Sequence, residues 1–212
     1  CWTVEREAFS AEDEQCARAK AHLATFAKRG VRIVEVRTSV VCTGQLNENR
    51  DRGINRFVSD LHAMERLVLK LRDVAGAPVH AVCGKVGGIG EYAKFFGPLA
   101  GWLHATLVEG QAESAYQFPK LGRLRFVRDA DAHAPLVMLA SLVGKYVREL
   151  FMSRIASHYP SKDEAARHSG YHDPVTAAFA ERTALVRKKQ KLPDRCFARE
   201  RDPMAKAGAS PP

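Results

Sequence analysis

The sequence has no apolar run of the roughly 18–20 residues that a membrane-spanning helix needs. Its longest apolar stretch, residues 136–150, is interrupted by Ser141, Lys145, Arg148 and Glu149. A soluble protein without a membrane partner is the expectation. It also lacks a signal peptide and a basic presequence: Cys1 is followed by Glu5, Glu7, Glu12, Asp13 and Glu14, and no methionine stands first. The natural N-terminus is therefore expected to lie upstream. No CxxC pair occurs among the five cysteines (Cys1, Cys16, Cys42, Cys83, Cys196). An odd, dispersed set argues against a disulfide framework and a zinc site, and favours reduced thiols in the cytoplasm. No HExxH, GxSxG elbow or Cys–His arrangement occurs. His168 and His172 have i, i+4 spacing, but Gly170 between them argues against a shared helix face. Gly84-Lys85-Val86-Gly87-Gly88 does not satisfy GxxxxGK[ST], so a nucleotide loop is not expected.

What the chain does have is enough apolar residues for a core and an excess of positive charge. Of 212 residues 46% are hydrophobic, and 33 Lys and Arg stand against 24 acidic residues, a formal charge of +9. That balance favours a polyanion such as nucleic acid, although many basic proteins bind none. The charge is concentrated late, with Arg187, Lys188, Lys189, Lys191, Arg195 and Arg199 close together.

Periodicity gives an alternation of elements. Ser10 followed by Asp13 resembles an N-cap, and Gly30 a stop, for a helix over 11–29. The β-branched residues of 31–41 predict a strand, and the polar stretch 43–53 a loop. Phe57, Leu61, Met64, Leu67, Val68 and Leu71 predict a helix over 54–74. Residues 78–83 predict a buried strand running into the glycine loop. Residues 91–96 read as helical, 102–108 and 123–127 as extended, and 136–157 and 174–189 as helices. Strands separated by helices make one α/β domain, residues 1–201, followed by a disordered tail over 202–212. No internal repeat is present.

The chemistry-bearing segment is Asp129-Ala130-Asp131-Ala132-His133-Ala134-Pro135, followed by a helix on which Ser141, Lys145 and Glu149 recur at i, i+4 and i+8 and so share a face. A carboxylate between a strand end and a helix start lies where sites in open α/β sheets gather. Asp129 is close enough to be the alternative acid, and Lys145 with Glu149 also fits a plain ion pair on a solvated face. This order of Asp, short loop, Pro, Ala140-Ser141, Gly144-Lys145 and Arg148-Glu149 resembles the ribonuclease HII family. Ser169-Gly170-Tyr171 is similar to the family's Lys-Gly-Tyr segment, and residues 78–84 to the strand leading into its second aspartate. The closest likeness is to a divergent branch whose strand reads Cys-Asp-Lys-Val-Gly-Gly. Glu109, Ser114 and Tyr116 stand where that branch carries Glu…Ser-x-Tyr; a place near the active site and a plain charged strand end are equally open readings of Glu109.

The resemblance implies an RNase H-like central mixed sheet flanked by helices and a monomeric, Mg²⁺- or Mn²⁺-dependent endonuclease acting on the RNA strand of RNA–DNA hybrids. It makes Asp131 a metal ligand, and Asp131 and Lys145 the catalytic pair. Ser141, Arg148 and Tyr171 become substrate contacts, with Tyr171 against the sugar. Two departures follow from the residues themselves. The family's opening strand with adjacent Asp-Glu is missing, and Gly84 occupies the position expected to hold an aspartate. Hard divalent cations need several oxygen ligands, so cutting is expected to be impaired. The rival expectation is a non-catalytic protein that keeps the nucleic-acid groove without the metals. A basic α/β scaffold unrelated to nucleases is the third.

Overall fold

The computed structural model describes residues 11–159 and 174–200. Ser10, the Ser169-Gly170-Tyr171 segment and the tail 202–212 lie outside these. Helix α1 (Asp13–Lys28) occupies the expected span, with Glu12 at its N-cap. Gly30 adopts φ 78°, its amide donating to the Ala27 carbonyl, and so ends the helix. Residues 31–41 form no strand and join no ladder among the described residues, a correction to the expected strand. Val31, Ile33, Val34, Val36 and Val40 are all more than half exposed. β-Branched residues favour the pleated backbone, but a strand is completed by cross-strand partners, and here none pairs with it.

The expected loop over 43–53 is instead helix α2 (Thr43–Asp51). Its polar sequence hid it, because its support is tertiary. Asn47 is 1% exposed and bonds through its side chain to residues near the other end of the chain. Helix α3 (Arg56–Ala75) follows the predicted periodicity. Asn55 caps it by accepting from the Val58 amide at 3.0 Å, and Gly76 ends it at φ 65°.

The sheet has four strands, β1 (Val79–Gly84), β2 (Ala105–Glu109), β3 (Glu113–Phe118) and β4 (Gly122–Val127), in the order β1-β4-β3-β2. The consecutive strands β2, β3 and β4 form an antiparallel meander, while β1 joins β4 in parallel. The protein is therefore mixed α/β. Gly122 makes the β1–β4 junction possible: it sits at φ 106°, and a Cβ there would come within 2.1 Å of the Val79 carbonyl oxygen. The predicted helix over 91–96 shrinks to a 3₁₀ turn at Ala93–Phe95.

One face of the sheet builds the core. Tyr116, Phe118, Leu124 and Phe126 pack with Leu61 and Val68 of α3, and with Tyr92, Leu99 and Leu121 from the connections. The other face carries polar pairs, with Arg125 Nε donating to Glu113 at 2.7 Å. After β4 come the short helix α4 (Ala130–His133), the long helix α5 (Pro135–His158), then α6 (Pro174–Lys189) and α7 (Asp194–Phe197). No residue of α5 is buried. Among the described residues no helix is long and apolar enough to cross a membrane.

Candidate functional site

The parallel β1–β4 pairing brings two sequence-distant chain ends side by side. Gly84, last in β1, pairs with Val127, last in β4, and the Lys85 amide continues the ladder by donating to the Val127 carbonyl at 2.8 Å. The chain leaves β4 through Asp129, in the left-handed region at φ 51°, and enters α4, which carries Asp131. Both α4 and the start of the following region pack back on the sheet, since α4 and α5 each contact β1. Asp131 is exposed, and Asp129 lies beside Arg128 at 3.7 Å. A Cβ added at Gly84 would meet no atom within 4 Å, so the position has room for a side chain.

The α5 residues are placed farther out. Lys145 lies ten residues beyond Pro135, roughly 15 Å along the axis at about 1.5 Å per residue. Ser141 is exposed. Lys145 Nζ is 4.0 Å from Glu149 Oε1, and Arg148 Nη2 is 3.8 Å from the same oxygen. With side chains 65% and 60% exposed, Lys145 and Glu149 form a solvated i, i+4 pair of small energetic value. Tyr171 lies outside the described residues.

Divalent-metal catalysis needs several oxygen ligands at one point. Position 84 offers no side chain, and among the described residues no group of three or more His, Cys, Asp or Glu comes together to hold an ion. Asp131, with Gly84 across from it, does not supply the donor set of a two-metal centre among the described residues.

The glycine loop after β1 holds a denser polar cluster that sequence reasoning only touched. Lys85 Nζ donates to the Gly110 carbonyl at 2.6 Å and to Ser114 Oγ at 2.5 Å, and stands 4.8 Å above the Tyr92 ring. Ser114, fully buried, donates a hydrogen bond from its hydroxyl to the Gly90 carbonyl. Desolvation pulls the Lys85 ammonium below the ordinary lysine range, against the opposing pull of Glu109 and Glu113. Tyr92 hydroxyl donates to the Val86 carbonyl at 2.7 Å and accepts from the Val86 amide at 2.6 Å. Tyr116 hydroxyl donates to Glu109 and accepts from the amides of Tyr92 and Ala93 at 3.0 and 3.1 Å. Burial and the Glu109 carboxylate hold the Tyr116 phenol well above its ordinary range.

This cluster ties the glycine loop to the β2–β3 turn. The Val86 amide is committed to Tyr92 and the Lys85 ammonium to Gly110 and Ser114, so neither is turned outward as a phosphate loop requires. Glu109 pairs with Ser114 across the β2–β3 ladder and accepts from the Tyr116 hydroxyl. Lys85, Tyr92 and the two glycine carbonyls were missed: their roles depend on a chain reversal that spacing does not reveal.

The basic C-terminal stretch divides in two. Arg187 is 4% exposed; it donates to the Ala180 carbonyl at 2.7 Å, to Thr183, and to Asp194 at 3.0 Å, and its guanidinium stacks 4.0 Å from the Phe197 ring. Arg195 is paired with Asp51. These two are structural. Lys188, Lys189, Lys191 and Arg199 are exposed and face solvent. Comparison with protein-family models, with curated proteins and with solved structures found no match for this chain.

Proposed function

We propose that the chain is a nucleic-acid-binding domain of the RNase H-like kind, related to ribonuclease HII-type endonucleases of RNA–DNA hybrids, in which cutting is impaired. One observation carries the reading: the parallel pairing of β1 with β4 sets position 84 opposite Val127, four residues before Asp131, and α4 packs against β1. Positions 84 and 131 are the two that the ribonuclease HII resemblance pairs as carboxylates, and they come from the end of β1 and from α4 just after β4, far apart in sequence. Gly84 is the defect. Its open surroundings mean that the lost group is a side chain and not the space for one.

Binding does not need the missing carboxylate. Lys188, Lys189, Lys191 and Arg199 supply exposed cations for phosphates, and on α5 exposed Ser141 and Lys145, with half-buried Arg148, would add further polar contacts. Discrimination of RNA from DNA would rest on contact with the 2′-hydroxyl. In the complete form of such an enzyme Asp131 would hold Mg²⁺ or Mn²⁺ with other carboxylates, and Asp131 is the one of that set that the resemblance places among the described residues.

The test is cleavage of an end-labelled RNA–DNA hybrid with Mg²⁺ or Mn²⁺ by the chain and by its Gly84→Asp variant. The chain itself is expected to leave the RNA strand intact while binding it. Cleavage by the variant alone would fix position 84 in the metal site. Cleavage by both would overturn the impairment, and absence of hybrid binding in both would overturn the nucleic-acid reading. Intact hybrid that is bound by both favours the non-catalytic binder, for which the absence of a carboxylate at Gly84 is the specific support.

A further inference from the structure

Residues 11–41 make an arm that the rest of the described chain leaves bare: neither α1 nor residues 31–41 contain a buried residue. The arm has a fixed root. Cys42 caps α2, and the buried Asn47 holds α2 to the carbonyls of Arg195 and Ala198. Its second half has the pattern of a strand. Val34, Val36, Thr38 and Val40 fall on one side and Glu35, Arg37 and Ser39 on the other, as a period of two requires. No amide from Arg32 to Val41 is bonded to a described residue.

One edge of the sheet lacks what such a segment supplies. Strand β1 has a neighbour on one side only. The Val79 and Lys85 amides donate to the Leu121 and Val127 carbonyls on the β4 side, each at 2.8 Å, and alternate residues of a strand share a side. The amides and carbonyls of His80, Val82 and Gly84 therefore point to the open edge, where no described group bonds them. Helix α4 sits at the Gly84 end, because it begins at Ala130, soon after the Val127 that pairs with Gly84. At the other end His80 is exposed. No proline, lysine or bulge guards β1, whereas at the opposite edge the register of β2 shifts between Thr106 and Val108.

We propose that residues 34–40 of a second copy of this chain add as a strand to the open edge of β1, each copy lending its arm to the other in a two-fold dimer. Within one copy the segment and the edge are both present and both stay unbonded. An exchange between identical chains satisfies both, and does so twice. The sides also match. Val79, Ala81 and Cys83 pack against the core under α3, so Val34, Val36 and Val40 in the neighbouring strand extend that apolar face. Glu35 then falls on the opposite face, which carries Arg123 and Arg125 of β4, and adds an acid to two cations. Such a dimer departs from the monomer that the ribonuclease HII resemblance implies, and it does not depend on the nucleic-acid reading.

The experiment is sedimentation velocity of the full chain from about 1 to about 100 μM, the range in which two added strands are expected to hold a dimer. A monomer–dimer equilibrium is expected, with amide exchange at His80 and Val82 slowing at least about tenfold as the dimer fills. Val36→Lys sets a charge on the apolar side of an arm without a buried residue. It leaves the monomer folded and is expected to weaken the dimer at least about tenfold. Val82→Pro removes one amide from the open edge and keeps the β1–β4 bonds, with a similar weakening expected. If the proline unfolds β1, Val36→Lys decides alone. A chain that stays monomeric throughout, or a dimer that Val36→Lys leaves as tight, would overturn the proposal. Slowed exchange at residues 34–40 in the monomer would place the arm on its own edge and overturn the exchange between copies.

Discussion

Two parts of this molecule have similar apolar content and opposite fates. The face of β3 and β4 toward α3 is sealed: Tyr116, Phe118, Leu124 and Phe126 are fully buried, and edge and stacked ring contacts link Phe57, Tyr92 and Phe126. Helix α5 and residues 31–41 are comparably apolar in sequence, yet Leu136 is 81% and Leu142 58% exposed, and Val31, Val34, Val36 and Val40 are no better covered. The difference lies in partners and not in composition. Hydrophobic stabilisation follows area removed from water, so the first part holds the fold together and the second contributes little to it as the chain stands. Apolar surface of this extent is uncommon on an isolated domain.

The contrast can be broken first at its strong end. Phe126→Ala is expected to destabilise by about 3–5 kcal/mol in denaturant unfolding, because it empties a fully buried site stacked against the Tyr92 ring. A loss below about 1 kcal/mol would mean that the sheet face is not the core. Gly122→Ala should cost about 1–3 kcal/mol, since a methyl group there collides with the Val79 backbone and forces β1 away from β4. Retention of stability would show that β1 is not docked as described.

Glu65 sharpens the comparison through pH. It is fully buried in α3 and accepts from the amides of Leu99 at 2.8 Å and Gly97 at 3.2 Å. Desolvation raises its pKa above the ordinary 4.5, the two amides opposing but not reversing the shift. The folded state therefore holds the proton more tightly than the unfolded state. The stability this gives is fully present below 4.5 and is lost as pH rises through the raised value, at no more than about 1.4 kcal/mol per pH unit. Glu65→Gln keeps an acceptor for both amides and should flatten that part of the profile; an unchanged profile would remove Glu65 from the account. The smallest effect is expected at the bare end, where Leu142→Ala should change stability by less than about 0.5 kcal/mol. A loss as large as that of a core residue would mean that α5 is packed after all.

The sequence was most legible where local pattern and tertiary burial agree. The spacing of Phe57, Leu61, Met64 and Val68 marks α3, Pro135 opens α5, Pro174 opens α6, and the apolar run before Gly84 marks β1. It misled where one of the two was missing. Residues 31–41 have the strand pattern without a partner strand. Helix α2 has a partner without the pattern, because Asn47 is held by carbonyls that no local rule connects to it. Strand β3 escaped notice because Ser114 and Tyr116 reach the core as hydrogen-bonded polar groups, so Glu113–Phe118 shows no simple alternation. Of the candidate site, Asp131 and Gly84 were readable as separate positions, while their joining through β1 and β4 is topological. The Lys85 cluster depends on the same topology: Glu109, Ser114 and Tyr116 stood out in the sequence, but their connection to Lys85 and Tyr92 did not.

The measurement that bears most directly on the nucleic-acid reading is fluorescence anisotropy of a labelled RNA–DNA hybrid titrated with the chain at rising salt. The account predicts binding at low salt that weakens steeply, with a logarithmic slope of about 0.7–0.9 for each phosphate contact, reduced by one such step when Lys188 or Lys189 is replaced by alanine. Absence of binding at low salt, or affinity indifferent to salt and to those lysines, would contradict it.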